Sequence, residues 1–185
     1  WIHGTEMRVR EALRTDIAEK GALPERWREA LGDCLGLKLI EGLKPAAKRQ
    51  GTLTFGEFSG GHFVVEQAGT QASIPATRYT VADEGRKRAL AVVVTSHGRA
   101  SLANLRTGGP GPFLQSLLRD GFDVVTLDPF GIGEQAETTG ARTVERSGYH
   151  DTFNPTDTAY RVQDILSVMR AFGDNAPGGL AGAHV

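Results

Sequence analysis

Cysteine is almost absent from this sequence, which limits what can hold the fold together. Cys34 is the one cysteine among 185 residues, so an internal disulfide is excluded and stability must come from an apolar core. A chain of this length normally forms one domain with a sizeable core. The cysteine count does not choose between a cytoplasmic, a periplasmic and a secreted location.

An excess of charge of one sign and a long apolar run are also missing. Lys and Arg total 21 against 22 Asp and Glu, and the formal net charge is -1. Such a balance gives no electrostatic signal for nucleic acid or for an anionic membrane surface. The longest apolar run, Ala89–Thr95, is far shorter than the roughly 20 residues that cross a bilayer. We therefore expect a soluble protein with neither kind of partner.

Metal and cofactor motifs are lacking as well. The five histidines are scattered without the spacing of metal ligands, so we predict no metal. Gly131 and Gly133 suggest a dinucleotide fingerprint, but a third glycine at the required spacing and a following helix start are missing. We predict no cofactor.

The apolar pattern changes along the chain and divides it into two parts. Residues 1–50 carry two apolar stripes at helical spacing and are predicted to form an N-terminal helical segment. In residues 51–185, short β-branched and aromatic stretches at 52–58, 62–67 and 74–81 predict two or three antiparallel strands.

Strands and helices then alternate. The continuously apolar stretches 90–95 and 122–127 predict parallel strands buried on both faces. Helices are predicted after Pro112 and over about 157–172. The side chains predicted to face inward are Phe113, Leu114, Leu117 and Leu118 in the first helix and Val162, Ile165, Leu166 and Met169 in the second. This order predicts an α/β fold with a mixed, doubly wound sheet and antiparallel lead-in strands.

The end of the chain predicts a further strand. Residues 174–182 are turn-rich and follow a crossover helix, yet only Ala183–Val185 remain. Because an interrupted sheet would leave a buried edge unpaired, we expect the sheet to be incomplete in this chain. The C-terminal half of the same protein or a complementary chain would complete it.

The stretch Val92–Arg99 carries the clearest chemical signal. Here a buried strand is followed by His97-Gly98 and then by a polar loop. This arrangement resembles the oxyanion loop of α/β-hydrolases. Such a loop aims a backbone N–H at the oxygen that becomes negative during acyl transfer. We expect Arg99 to donate through its backbone, so that its side chain is dispensable, with Ala100 as the reserve donor. His97 is interpreted as packing and hydrogen bonding under the loop.

The stretch Asp128–Glu134 follows the next buried strand and supports the same resemblance. It is similar to the Asp-x-x-Gly-x-Gly segment of α/β-hydrolases, and Asp128, Gly131 and Gly133 match the pattern. These three residues are expected to shape a loop beside the active site without reacting. The two motifs in this order, with a helix between them, are more specific than either alone.

Two further stretches narrow the resemblance. Ile74–Tyr79 and Thr158–Leu166 resemble segments of bacterial acetylxylan-esterase-like and dienelactone-hydrolase-like proteins, and the likeness spans roughly residues 51–172. It implies a serine hydrolase of the carboxylesterase or acetyl-esterase type, acting on a small acyl ester such as an acetylated carbohydrate. The Gly-x-Ser-x-Gly nucleophile, the acid and the histidine are expected beyond Val185 or on a partner chain. The alternative is a non-catalytic scaffold or binding subunit of the same fold.

No catalytic residue is predicted within the chain, which alone is expected to be inactive. Cys34 matches a Gly-x-Cys-x-Gly pentapeptide but lies on the apolar stripe of a predicted helix, as a buried free cysteine does. Tyr149 and His150 lie in a long loop after a strand and are expected to line the substrate cleft. His150 and Asp151 are adjacent in sequence, and adjacent side chains rarely form one working base–acid pair.

Overall fold

The structure is a computed structural model that describes residues 29–30, 32–33, 44–67, 72–81, 88–136, 156–173 and 183–184. Residues 29–30 and 32–33 are helical, and the other residues before 44 lie outside the described part, Cys34 among them. The named elements are β1 (Pro45–Phe55), β2 (Phe58–Gln67), β3 (Ser73–Val81), β4 (Ala89–Val93), a 3₁₀ turn (Arg99–Leu102), α1 (Pro112–Arg119), β5 (Phe122–Leu127), α2 (Asp157–Gly173) and β6 (Ala183–His184).

These strands form one mixed sheet in the order β1-β2-β3-β5-β4-β6. The pairs β1–β2, β2–β3 and β3–β5 are antiparallel, whereas β4 runs parallel to both β5 and β6. The predicted α/β class, with an antiparallel lead-in to parallel strands, is confirmed for the described residues.

The first strand differs from its prediction in length. It begins at Pro45 rather than at Thr52, before the predicted boundary of the helical segment at residue 50. Phe58 begins β2 instead of ending β1, because the chain reverses at Gly56, which has a φ of 58°. The missed residues are exposed or half-buried on an edge strand, so no apolar alternation marks them.

Both predicted parallel strands are present, although β4 ends at Val93 rather than at the predicted residue 95. β5 has the predicted bounds and is buried from Asp123 to Leu127, and the middle of β4 is buried. Two apolar clusters cover opposite faces of the sheet, because successive strand residues point to opposite sides. Val125 belongs to the cluster that includes Val168 of α2, and Val124 to the cluster that includes Leu114 of α1.

The inward face of α1 is narrower than predicted. Leu114 and Leu118 are 1% and 0% exposed, but Phe113 is 57% exposed. Neighbouring helix positions point about 100° apart, so residues adjacent in sequence cannot both face the sheet squarely. Phe113 therefore contributes little to this core.

The inward face of α2 is rotated relative to its prediction. The buried positions include Asp164, Ser167 and Val168, while Val162 and Leu166 are only half-buried. Polar residues occupy the buried face because they have partners there: the Ser167 hydroxyl donates to the carbonyl of Gln163 at 2.8 Å and accepts from the side chain of Gln67. Ile165 and Met169, also predicted inward, pack against the core in half-buried positions.

Two predictions concern the segment between β5 and α2, predicted as a long loop; the structure describes this segment up to residue 136, and residues 135–136 are helical. Tyr149 and His150 lie outside the described residues.

In the described part of the chain, no helix combines the length and the apolar character that a membrane crossing requires.

Candidate functional site

The loop after β4 turns sharply at Gly98, whose φ is 79°. Its carbonyl accepts hydrogen bonds from the hydroxyls of Thr95 at 3.0 Å and Ser101 at 2.7 Å. Its N–H donates to the carbonyl of Thr95 at 3.3 Å. The positive φ and these three bonds hold the loop in one conformation at the carboxyl end of β4.

The loop after β5 is organised around Asp128, which is 1% exposed. The Asp128 N–H donates to the carbonyl of Pro75 at 3.0 Å, and the carboxylate Oδ2 accepts the Glu134 N–H at 3.2 Å. Gly131 and Gly133 have φ values of 70° and 58°, a region that favours glycine. The loop thus wraps around its own buried carboxylate.

The two loops touch through their backbones. A Cβ built on Gly98 would lie 2.7 Å from the Cα of Gly133 and 2.8 Å from Oδ1 of Asp128. A Cβ on Gly133 would lie 2.4 Å from Cγ of the same aspartate. Neither position has room for a side chain, so the close approach requires glycine on both loops.

Asp128 also receives the backbone N–H of Arg99, at 2.6 Å from Oδ1. In this structure that N–H is therefore already occupied by a carboxylate, which contradicts its prediction as a donor to a substrate oxygen. The reserve donor, Ala100, lies in an exposed position of the 3₁₀ turn.

The side chain of Arg99 makes hydrogen bonds that the sequence does not predict. Its Nε donates to Oδ2 of Asp128 at 3.2 Å. Its Nη1 donates to the Thr77 hydroxyl at 2.6 Å and lies 3.3 Å from Nδ1 of His62. Its Nη2 pairs with Glu134. His62 Nδ1 is also 3.1 Å from the Thr77 hydroxyl. These contacts leave no local signal in the sequence, because His62 and Thr77 precede Arg99 by 37 and 22 residues. The only sequence signal for a buried cation partner is the pair of acids Asp128 and Glu134, which flank residues 129–133.

His97 lies in the predicted loop but is not packed beneath it. The residue is exposed, and its Nδ1 is 3.1 Å from the hydroxyl of the neighbouring Ser96. The prediction of a packed histidine is therefore wrong for this chain. The space beneath the loop is taken by Asp128 and Gly133, which contact Gly98 directly.

Helix α2 holds the loop after β5 from the other side. Asp164 Oδ2 accepts the Phe130 N–H at 2.8 Å, and Arg161 Nε donates to the Phe130 carbonyl at 3.0 Å. The rings of Phe130 and Tyr160 have centroids 4.9 Å apart. The segment Thr158–Leu166, singled out in the sequence, thus supplies three contacts to a single loop residue.

A cavity of about 470 Å³ lies at the other end of the sheet. It is lined by Phe55 and Glu57 at the β1–β2 turn, by Asn104 in the loop after β4 and by Gln115 of α1. In the sheet register, Phe58 pairs with Val81, whereas Leu127, next to Asp128, pairs with Ala76. The cavity is therefore separate from the contact between Gly98 and Gly133, although Asn104 and Gly109 come from the same loop after β4. No cluster of three or more His, Cys, Asp or Glu in the described residues is placed to hold a metal ion.

Tyr79 of β3 is a titratable group that the fold buries. Burial raises the pKa of its phenol above the usual 10.0, and the positive charge of Arg99 offsets part of that effect. The fold therefore favours the neutral phenol. This contribution to stability is fully present below pH 10.0 and is lost as the pH rises through the folded-state pKa.

We accordingly expect Tyr79→Phe to reduce the alkaline loss of stability. Urea unfolding from about pH 9 to about pH 11 should show a smaller decline in the free energy of unfolding than in the parent protein. Tyr160→Phe is the matched control, since Tyr160 is only half-buried. A decline of equal size in the parent and in Tyr79→Phe would contradict the assignment.

Comparison with known proteins finds likeness in structure only. No protein-family model matches the chain, and no curated protein sequence matches it. A methylesterase, BT1017, superposes with a TM-score of 0.47 and 18% identity over 77% of this chain and 29% of its own. Acetyl xylan esterase 1 from Thermoanaerobacterium sp. JW/SL YS485 superposes with a TM-score of 0.44 and 16% identity over 81% of this chain and 45% of its own.

The chain thus spans less than half the length of either solved structure. The α/β architecture described above rests on the strand order of the chain itself and not on these likenesses. In structure, the chain is similar to parts of two esterases.

Proposed function

We propose that this chain is the N-terminal part of a serine ester hydrolase with the α/β-hydrolase fold. The observation that carries the proposal is the contact between the loops after β4 and β5, at Gly98 and Gly133. Both loops leave the carboxyl ends of parallel strands, which is where ligands bind in open α/β sheets. A buried carboxylate and tight glycine turns hold them there.

The strand order supports a nucleophile outside the chain. β6 lies beside β4 and parallel to it, so a residue after β6 would emerge next to the Gly98 loop. In α/β-hydrolases the nucleophile sits on a strand-to-helix turn at this edge, and the loop corresponding to Gly98 faces it. The nucleophile, its acid and its histidine would lie beyond Val185 or on a partner chain, which would also extend the sheet past β6.

The proposed chemistry is acyl transfer. The serine hydroxyl attacks the ester carbonyl carbon while the histidine takes its proton, and the alcohol leaves with that proton as the tetrahedral intermediate collapses. Water then hydrolyses the acyl-enzyme by the same route. In this chain the N–H of Ala100 is the proposed donor to the oxyanion, since the Arg99 N–H is taken by Asp128.

The substrate proposed is a small acyl ester, with acetylated carbohydrate as the first candidate. Tyr149 and His150 are proposed to line its cleft, because they follow the carboxyl end of β5 in the sequence, and ligands bind at that end of the strands in open α/β sheets. The chain by itself would bind no nucleophile-directed probe and would turn over no ester.

A fluorophosphonate probe tests the location of the nucleophile. The complete protein, with any partner chain, should gain one probe mass and hydrolyse 4-nitrophenyl acetate, and peptide mapping should place the label on a serine outside residues 1–185. The 185-residue chain alone should take no label. A labelled serine within these residues would contradict the proposed division of the site. The absence of both label and turnover would contradict catalysis and leave a non-catalytic scaffold or binding subunit.

A further inference from the structure

We propose that the side chain of Arg99 is a positioning residue that fixes the direction of the neighbouring Ala100 N–H. The inference rests on the proposed function, in which that N–H stabilises the oxyanion. Arg99 is the one residue of the Gly98 loop whose guanidinium bonds to β2, β3 and the loop after β5, through His62, Thr77 and Asp128.

The contact with Asp128 constrains the backbone and not only the side chain. Arg99 reaches this carboxylate twice, with its backbone N–H at Oδ1 and with its Nε at Oδ2. Two bonds from one residue to both oxygens of a carboxylate fix the orientation of the peptide plane as well as its position. The next peptide unit carries the Ala100 N–H, and only the φ and ψ of Arg99 separate the two units. Because Arg99 begins a 3₁₀ turn that sets these dihedrals, anchoring Arg99 also orients the Ala100 N–H.

The surrounding contacts prevent the guanidinium from rotating about this carboxylate. Nη1 donates to the Thr77 hydroxyl at 2.6 Å, and Nη2 pairs with the exposed carboxylate of Glu134. The Arg99 side chain is 14% exposed and that of Asp128 only 2%, while Glu134 is 64% exposed. Exposed ion pairs contribute little, so the positioning effect comes from the buried contacts with Asp128 and Thr77.

The geometry requires arginine specifically. A lysine at position 99 would keep a positive charge beside Asp128, but a single ammonium cannot bond the carboxylate, the Thr77 hydroxyl and Glu134 from a rigid planar fork. Arg99→Lys therefore separates two roles of the residue: it retains the charge that a buried carboxylate needs and loses the orientation.

The test compares Arg99→Lys with Arg99→Met in the complete protein. Arg99→Lys should fold with nearly the parent urea midpoint, while kcat falls about 10²-fold, as when an oxyanion donor is misplaced. KM should change by less than about 3-fold, because the lost interaction acts in the transition state. Arg99→Met should lose both activity and stability.

Arg119 supplies the matched control. It pairs with Glu57 at 3.0 Å, but both side chains are more than half exposed. Arg119→Lys should leave kcat, KM and the urea midpoint unchanged. A folded Arg99→Lys variant whose kcat stays within about 3-fold of the parent would overturn the proposal.

Amide hydrogen exchange tests the positioning role of Arg99 without requiring that the protein hydrolyse an ester. If the parent protein hydrolyses no ester, the esterase proposal fails, yet the positioning of the loop can still be measured. Exchange at residues 99–102 should then be faster in Arg99→Lys than in the parent, with the core strands unchanged. Equal exchange in the two proteins would overturn the positioning role.

Discussion

Replacement of Asp128 by alanine should destabilise the protein by about 3–5 kcal/mol, the usual cost of removing one partner from a buried ion pair. The carboxylate is 1% exposed and accepts the backbone N–H groups of Arg99 and Glu134 as well as the Nε of Arg99. Its loss leaves a largely buried guanidinium and two backbone donors without their acceptor. Urea unfolding of the parent and of Asp128→Ala measures the difference in the free energy of unfolding.

Asp120→Ala is the control for this experiment. Asp120 is an exposed residue at the end of α1, and an exposed substitution of this kind usually changes stability by about 0.5 kcal/mol or less. If Asp128→Ala cost no more than Asp120→Ala, the carboxylate would not be the group that holds the two loops together.

Gly133→Ala should be nearly as damaging, for a different physical reason. The glycine has a φ of 58°, where a side chain costs about 1–2 kcal/mol in backbone strain. The added Cβ would also meet the carboxylate of Asp128 at 2.4 Å, a distance that the structure must relieve by moving one of the two loops. We expect a total loss of about 3 kcal/mol or more in the free energy of unfolding, measured by urea unfolding.

Gly108→Ala separates the two contributions. Gly108 has a comparable φ of 69°, but a Cβ there has no neighbour within 4 Å. Its replacement should therefore cost only the strain of about 1–2 kcal/mol. Equal losses at the two positions would mean that the loops can separate without cost, which would contradict the close approach of Gly98 and Gly133.

The sequence alone determined the class of fold and the place of its central elements. The apolar run 122–127 became β5 with the same bounds, and the periodic stretch predicted over 157–172 became α2. Both signals are local, since a run of apolar residues or a helical period depends only on neighbours along the chain. The alternation of these elements sufficed to predict a mixed α/β sheet.

Hydrogen-bond partners were decided by the tertiary structure. Asp164 and Ser167 lie on the buried face of α2 because the Phe130 N–H and the Gln67 side chain, 34 and 100 residues away, meet them there. A periodicity of apolar residues assigns such polar positions to solvent, so the predicted inward face was rotated. Buried polar groups need partners, and partners distant in sequence are set by packing.

At the candidate site, too, the features that depend on neighbouring residues were predicted, and the contacts between residues distant in sequence were not. The motifs placed Gly98, Asp128 and Gly133 in two loops, because each motif is contiguous in sequence. That the Arg99 N–H is committed to Asp128, 29 residues away, follows only from the approach of β4 and β5 in the sheet. Local sequence thus determined which residues form the loops, and the packing of the strands decided which of their hydrogen-bond donors stay free.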